Sequence, residues 1–293
     1  MRDNVVQFDE FENELQISTQ QSELPCIVLE GGDDVALFRR WFFTFMDRLE
    51  FVQASNEGVG SGCTAVRMAV DSLRSRGVRA FGLSDRDSLF KEANWPVLFS
   101  VDDGEFAAAT REPHLAVNSL WEIEAYLLDP QLIPNWVRAH QLQAPASVMD
   151  TNAALSRVVE ECENLLKAQP WLATAHRCGQ AVPDGKYCTQ PTGEFSTRCS
   201  EELEALVDEH GTAPAVETHV TDVLERAPDH LPDRLRWLLR YVDTKRLMLR
   251  IKQRLRLVNA RHKWVLAELM EVAGLKPTEL EERVSALSQC LNS

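Results

Sequence analysis

Pro25-Cys26-Ile27-Val28-Leu29-Glu30-Gly31-Gly32-Asp33-Asp34 decides how this chain is read. The apolar run Cys26–Leu29 has the length and composition of a buried strand, and it is followed directly by a carboxylate. A carboxylate at the end of a buried strand is costly to desolvate unless it is paired or holds a metal. The pattern returns downstream. Val78-Arg79-Ala80-Phe81-Gly82-Leu83 leads into Ser84-Asp85-Arg86-Asp87, and Trp121-Glu122-Ile123-Glu124-Ala125-Tyr126 adds a third acidic stretch. Several carboxylates placed this way point to a hard divalent cation, and hard cations point to phosphate chemistry.

Outward from that stretch, strand and helix signals alternate. The spacing predicts strands over 25–29, 51–54, 78–83 and 114–117. Between them lie a helix over 35–49, with Leu37, Phe38, Trp41, Phe42 and Phe45 available for packing, and another over 64–76 that follows the glycine-rich turn 58–62. A further helix is expected to carry Glu122 and Glu124. Such alternation with short connections predicts an α/β fold, a Rossmann-like parallel sheet with helices on both faces. The ends of the first and third strands then lie near each other, on the edge where open α/β sheets place ligands.

Beyond about residue 135 the pattern changes. Helical periodicity is predicted over 147–168, 200–210, 218–226, 232–263 and 278–291, and the Gly/Pro/Cys-bearing stretch 170–198 reads as loop. Residues 1–24 read as a polar arm, 25–135 as the α/β domain and 136–293 as an α-helical domain, with a boundary signalled by Pro130, Pro134 and Pro145.

The net charge of −14 argues superficially against a nucleic-acid partner, but the charge is unevenly distributed. Between Arg234 and Lys263 stand eleven Lys or Arg residues against one acid, Asp243, a balance of +10 that leaves −24 for the remainder. Two readings stand: a helical segment that is solvated or docks on acidic surface of the same chain, or a stripe that tracks phosphates. No apolar run is long enough to span a bilayer and the first residues lack a signal-peptide pattern, so no membrane role is expected. Seven scattered cysteines fit reduced thiols in a cytoplasmic protein.

The Glu-Gly pair after the first strand and the Asp-x-Asp after a later one resemble the TOPRIM domain of topoisomerases, bacterial primases and overcoming-lysogenization-defect (OLD) nucleases. The fuller match is Val28-Leu29-Glu30-Gly31-Gly32-Asp33-Asp34, Gly82-Leu83-Ser84-Asp85-Arg86-Asp87 and Glu122-Ile123-Glu124-Ala125-Tyr126-Leu127-Leu128. It is similar to a narrower group, the stand-alone OLD-like TOPRIM nucleases encoded beside an ABC/SMC-like ATPase. The toxic nuclease of the PARIS anti-phage defence system belongs to that group. The resemblance covers roughly residues 25–130. Nothing marks Tyr126, Tyr187 or Tyr241 as an activated nucleophile, and no primase-type zinc domain precedes the match, which leaves a hydrolytic nuclease as the better fit.

The resemblance implies a Mg²⁺- or Mn²⁺-dependent endonuclease, a defence toxin controlled by an ATPase partner. Its substrate would be RNA (tRNA on the PARIS likeness) or DNA on the OLD likeness, and the family habit is self-association as a homodimer. Asp85, Asp87 and Glu124 are expected to hold metal, and Glu30 to ligate metal or take a proton from water. Asp34 is a further candidate ligand that equally reads as a helix cap. Glu122, two residues from Glu124 on the predicted helix, is expected to point elsewhere. Lys245 is the candidate transition-state cation. The alternative is a catalytically inactive TOPRIM-like subunit that regulates an ATPase complex. Two other patterns are discounted. The glycines at 58, 60 and 62 lack the spacing of a dinucleotide fingerprint, and His176, Cys178, Cys188 and Cys199 lack the Cys-x-x-Cys knuckle of a zinc site.

Overall fold

The computed structural model describes residues 24–57, 63–141, 151–183, 192–210, 216–258 and 262–292. The polar arm before Leu24, the glycine-rich turn 58–62, Cys188 and Tyr187 lie outside the described residues. Two compact units are present: Met1–Ser84, Glu112–Ala116 and Lys276–Ser293 form the first, and Asp85–Arg111 with Val117–Leu275 form the second.

The first unit is built on the α/β pattern. Strands β1 (Cys26–Leu29), β2 (Glu50–Gln53), β3 (Ala80–Ser84) and β4 (Leu115–Val117, its last residue counted with the second unit) form one sheet in the order β2-β1-β3-β4. β1 runs parallel to both neighbours, with Val28 opposite Val52 on one side and Gly82 on the other. All four β1 residues are buried, as expected of a central strand covered on two faces.

Successive side chains supply those two faces. Cys26, Val28, Val52 and Ala80 pack with Ala65, Val66, Ala69, Val70 and Leu73 of helix α2 (Cys63–Ser75). Phe51 turns the other way, to Phe38 and Phe42, whose rings lie 5.5 Å and 6.4 Å from it; Phe38 belongs to helix α1 (Gly32–Trp41) and Phe42 ends it. The predicted helix 35–49 is thus shorter at its end, closing at Trp41 and giving way to a 3₁₀ turn, Phe43–Phe45. At Gly82 the sheet and α2 meet so closely that a Cβ would fall 2.6 Å from Leu115 Cδ1 and 2.8 Å from Val66 Cγ1. The first unit closes with the helix Thr278–Asn292.

The second unit is helical. Thr151–Lys167 buries Leu155, Val158, Val159, Cys162, Leu165 and Leu166 at helical spacing and packs against Ile133–His140, Thr192–His210, Leu231–Leu238 and Thr244–Arg254. Three expectations are corrected here. The stretch 170–198 is not loop throughout, because Gln169–Arg177 and Thr192–His210 are helices. The predicted helix 232–263 is three helices, Leu231–Leu238, Thr244–Arg254 and His262–Val272. Glu122 and Glu124 do not share an α-helix: Glu122 has extended backbone (φ −155°, ψ 170°) at the head of a 3₁₀ helix, Ile123–Leu127. Among the described residues no helix is long and apolar enough to cross a membrane.

Candidate metal centre

Glu30 leaves β1 one residue after its last sheet position. The next turn is shaped by Asp34, whose Oδ2 accepts the Gly31 backbone N–H at 3.0 Å. Gly31 suits this role, since a Cβ there would lie 3.2 Å from that same oxygen. Asp34 is buried in the first turn of α1 while Asp33 is exposed there. Both acids complement the helix N-terminus, and the Asp34 side chain spends one oxygen on its start. Because Val28 lies opposite Gly82 in the parallel β1/β3 register, the chain leaves both strands at the same edge of the sheet, after Leu29 and after Ser84.

The residues that follow Ser84 open the second unit. Asp85 is buried and accepts from the Asn118 amide at 3.3 Å. The backbone N–H of Asp87 donates to the Trp121 carbonyl at 3.0 Å, and that of Ser88 to the Asp85 carbonyl at 3.2 Å, so a tight turn sets Asp85 and Asp87 side by side. Each offers a carboxylate oxygen, the two within 4.8 Å of one another. Asp87 pairs Lys91 through Oδ2 at 2.8 Å. Its Oδ1 is buried and accepts no hydrogen bond among the described residues, an acceptor of the kind that suits a hard cation.

Arg86, between the two acids, was not singled out by its sequence context. It is 1% exposed and donates to three carbonyls, those of Leu98 (2.9 Å from Nε), Ser119 (3.0 Å) and Ser100 (3.3 Å). Its guanidinium lies 4.1 Å from the Phe106 ring and 4.8 Å from that of Tyr241. Burial lowers its pKa to about 10, which leaves it charged at neutral pH. A side chain held at five points pins the turn that carries Asp85 and Asp87.

Glu122, Glu124 and Lys245 come together in the second unit. Glu122 is buried and accepts twice from one residue: from the Lys245 backbone N–H at 2.7 Å through Oε1 and from its Nζ at 2.6 Å through Oε2. Glu124 accepts from Lys263 at 2.8 Å and lies 3.8 Å from the Lys245 ammonium. Its carboxylate is thus engaged by two lysines. Glu122, expected to point elsewhere, is instead the more deeply engaged of the two. Its extended backbone, rather than helical spacing, lets both side chains reach Lys245.

Burial pushes the Glu122 carboxyl up to about 8, with Asp243 and Glu124 adding to the rise and Lys245 opposing it. Against the effect of its own burial, the same carboxyls hold the Lys245 ammonium above its ordinary range. Lys245 thus keeps its proton, and Glu124 has Lys263 as a second counter-charge. Asp243 caps the helix Thr244–Arg254 by accepting the Arg246 N–H at 2.9 Å, which fixes Lys245 in its first turn.

The basic segment is mostly occupied within its own unit. Arg234 pairs Glu163 at 2.7 Å, Arg240 pairs Asp103 at 2.5 Å, and the wholly buried Arg250 pairs Glu161 at 2.5 Å. Arg236 meets Asp129 and Asp233, Arg246 meets Asp243, and Arg254 shares Glu161. With Lys245 and Lys263, eight of the eleven cations have acidic partners. Of the two readings of this segment, docking on acidic surface of the same chain describes those eight.

The remaining candidates are placed as follows. Tyr241 is wholly buried and donates to the Ser100 carbonyl at 3.0 Å, and burial pushes its phenol up, the opposite of an activated nucleophile. The His176 ring bonds the Lys91 carbonyl at 3.1 Å, and the buried Cys199 has its thiol pushed up to about 12 by desolvation. Compared with known proteins, the sequence matches no protein-family model and no curated protein.

Proposed function

We propose that this chain is a metal-dependent phosphodiester hydrolase of the TOPRIM type, with Glu30, Asp85 and Asp87 holding Mg²⁺ or Mn²⁺. The observation that carries the proposal is the Asp85/Asp87 pair: two oxygens within 4.8 Å, one of the Asp87 oxygens buried without a hydrogen bond among the described residues. An all-carboxylate donor set suits a hard, oxygen-seeking cation. The β1/β3 register supports adding Glu30, since both strands end at one edge of the sheet.

When bound, the ion would neutralise charge on the phosphate and on the attacking and leaving oxygens. The chain's own part is to hold the carboxylates in place through Arg86 and Asn118, to accept a proton from the attacking water at Glu30, and to present the Lys245 ammonium to the phosphate. In this reading the substrate is nucleic acid (RNA, including tRNA, or DNA). The cellular role is that of a toxic effector of anti-phage defence restrained by an ABC/SMC-like ATPase.

The test compares wild type, Glu30→Ala and Asp85→Ala. Toxicity on expression and cleavage of total RNA and of plasmid are measured with Mg²⁺ or Mn²⁺, with and without an ABC/SMC-like ATPase where one is encoded beside this chain. Wild type should cut and be toxic, and both variants should lose both properties. If wild type cuts nothing under any of these conditions, or the variants cut as well as wild type, hydrolysis is rejected. A protein that still binds nucleic acid or ATPase would then be the regulatory subunit.

A further inference from the structure

Asn118 follows β4 directly and is wholly buried. Leu115 lies against Gly82, and three residues on from each of them Asn118 Nδ2 donates to Asp85 Oδ1 at 3.3 Å. That contact fixes the amide. An ionised carboxylate only accepts, so the Asn118 NH₂ belongs against Asp85 and the amide oxygen is its other end. This Oδ1 is also buried, and it accepts no hydrogen bond among the described residues. The same holds for Asp87 Oδ1, on the carboxylate that offers an oxygen within 4.8 Å of one from Asp85. Two buried acceptors without donors therefore accompany Asp85, one from the end of β4 and one from its own turn.

Buried acceptors are nearly always met by a donor. An asparagine kept only for packing would be poorly chosen here, because a half-met buried amide costs more than an apolar side chain of similar volume. A divalent ion changes that balance. Mg²⁺ keeps several of its waters when carboxylates hold it, and each such water is a donor. A neutral oxygen can meet one of them without adding a third negative charge beside Asp85 and Asp87. We propose that Asn118 is a positioning residue of the metal centre with two tasks: Nδ2 orients the Asp85 carboxylate, and Oδ1 accepts from a water on the ion. The inference rests on the proposed metal reading and extends it to a residue outside the acidic motifs.

The full chain is compared as wild type, Asn118→Leu and Asn118→Asp, each checked for native circular dichroism. Mn²⁺ affinity is measured at pH 7.5 by calorimetric titration and by paramagnetic resonance of the free ion. Urea midpoints are measured in chelator and in saturating Mn²⁺. Asn118→Leu should bind Mn²⁺ about 10–100-fold more weakly, the usual cost of losing a partner of a metal ligand. Asn118→Asp sets a like charge beside Asp85, so its midpoint in chelator should fall, and Mn²⁺ should raise that midpoint by more than it raises wild type. A merely structural asparagine gives the opposite pattern: both variants lose stability in chelator, Asn118→Leu keeps its Mn²⁺ affinity within about twofold, and Mn²⁺ does not favour Asn118→Asp. That pattern overturns the role of Asn118 and leaves the metal in place. No Mn²⁺ on wild type removes the metal reading itself, and this role with it.

Discussion

Replacing Arg86 tests whether the turn between the two aspartates is held by one buried guanidinium. Its donors make four contacts to three carbonyls, at 2.9 and 2.5 Å to Leu98, 3.0 Å to Ser119 and 3.3 Å to Ser100. A hydrogen bond from a charged donor contributes about 1.5–3 kcal/mol, so satisfying three carbonyls, that of Leu98 buried and those of Ser119 and Ser100 partly so, gives roughly 5–9 kcal/mol gross as an upper bound. Against this stands the cost of burying the guanidinium, several kcal/mol, which substitution removes. Among the described residues no carboxylate is in ion-pair contact with Arg86, so substitution strands no counter-charge. The difference leaves a loss of about 2–4 kcal/mol for Arg86→Met, which keeps most of the volume between Phe106 and Tyr241. Arg86→Ala should lose more, because a cavity is added to the unmet carbonyls. Arg86→Lys keeps the charge but not the fork that reaches three acceptors, and should fall between Met and wild type.

The assay is urea unfolding followed by far-ultraviolet circular dichroism. With a slope of about 3 kcal/mol/M, a loss of 3 kcal/mol lowers the midpoint by about 1 M. Because the same side chain pins Asp85 and Asp87, Mn²⁺ affinity should fall in the same order as stability when measured well below the midpoint. An Arg86→Met midpoint within about 0.2 M of wild type would mean that water satisfies these carbonyls, and the account of the turn would be wrong.

Two further outcomes follow from buried charge. His262 is buried, its Nδ1 accepts the Trp136 indole N–H at 3.3 Å, and burial, with His140 and Lys252 adding, pushes its imidazole down to about 4. An unfolded histidine takes its proton near 6.5, so the stability from His262 is complete above about pH 6.5 and is lost as pH falls toward 4. The drop in urea midpoint from pH 7.5 to 4.5 should therefore be smaller in His262→Phe than in wild type, and an equal drop would remove His262 as its source. Glu161 faces the wholly buried Arg250 at 2.5 Å and Arg254 at 3.4 Å. Glu161→Ala should cost about 3–5 kcal/mol by leaving a buried cation without its acid, and adding Arg250→Met should recover much of that, both read from urea midpoints; no recovery in the pair would refute the charge argument.

The sheet was legible because its strands are short apolar runs ending in turn or acidic residues, and Cys26–Leu29 and Ala80–Ser84 fall within a residue or two of expectation. The helical half was harder to read for two physical reasons. Pro170 suggested a break, yet proline is tolerated in the first turn of a helix, and there it opens Gln169–Arg177. That helix is buried on nearly every side, so no polar face marks its period. Conversely, the predicted helix 232–263 kept its apolar rhythm through Leu239, Tyr241 and Val242, which are buried in the turn between two helices. The signal for the break was present in Asp243-Thr244, an N-cap residue inside the apparent helix.

The site was legible where chemistry follows directly from strand ends, and illegible where it depends on backbone shape or on distant partners. Asp85 and Asp87 follow β3 and face one another; Glu122 was set aside by a helical spacing that its extended backbone does not have. Composition misled in a related way at the basic segment. A run of eleven cations in an acidic chain fits a phosphate-tracking surface and an internal counter-ion set equally well, and only the partners distinguish them. Eight have acidic partners in the same unit, and one of them, Arg250, is closed to solvent altogether. Lys245 differs in pairing a buried acid through a side chain that is itself largely exposed. In the proposed function, then, phosphate recognition rests on the placement of that one ammonium beside the carboxylates rather than on the +10 balance of the segment that carries it.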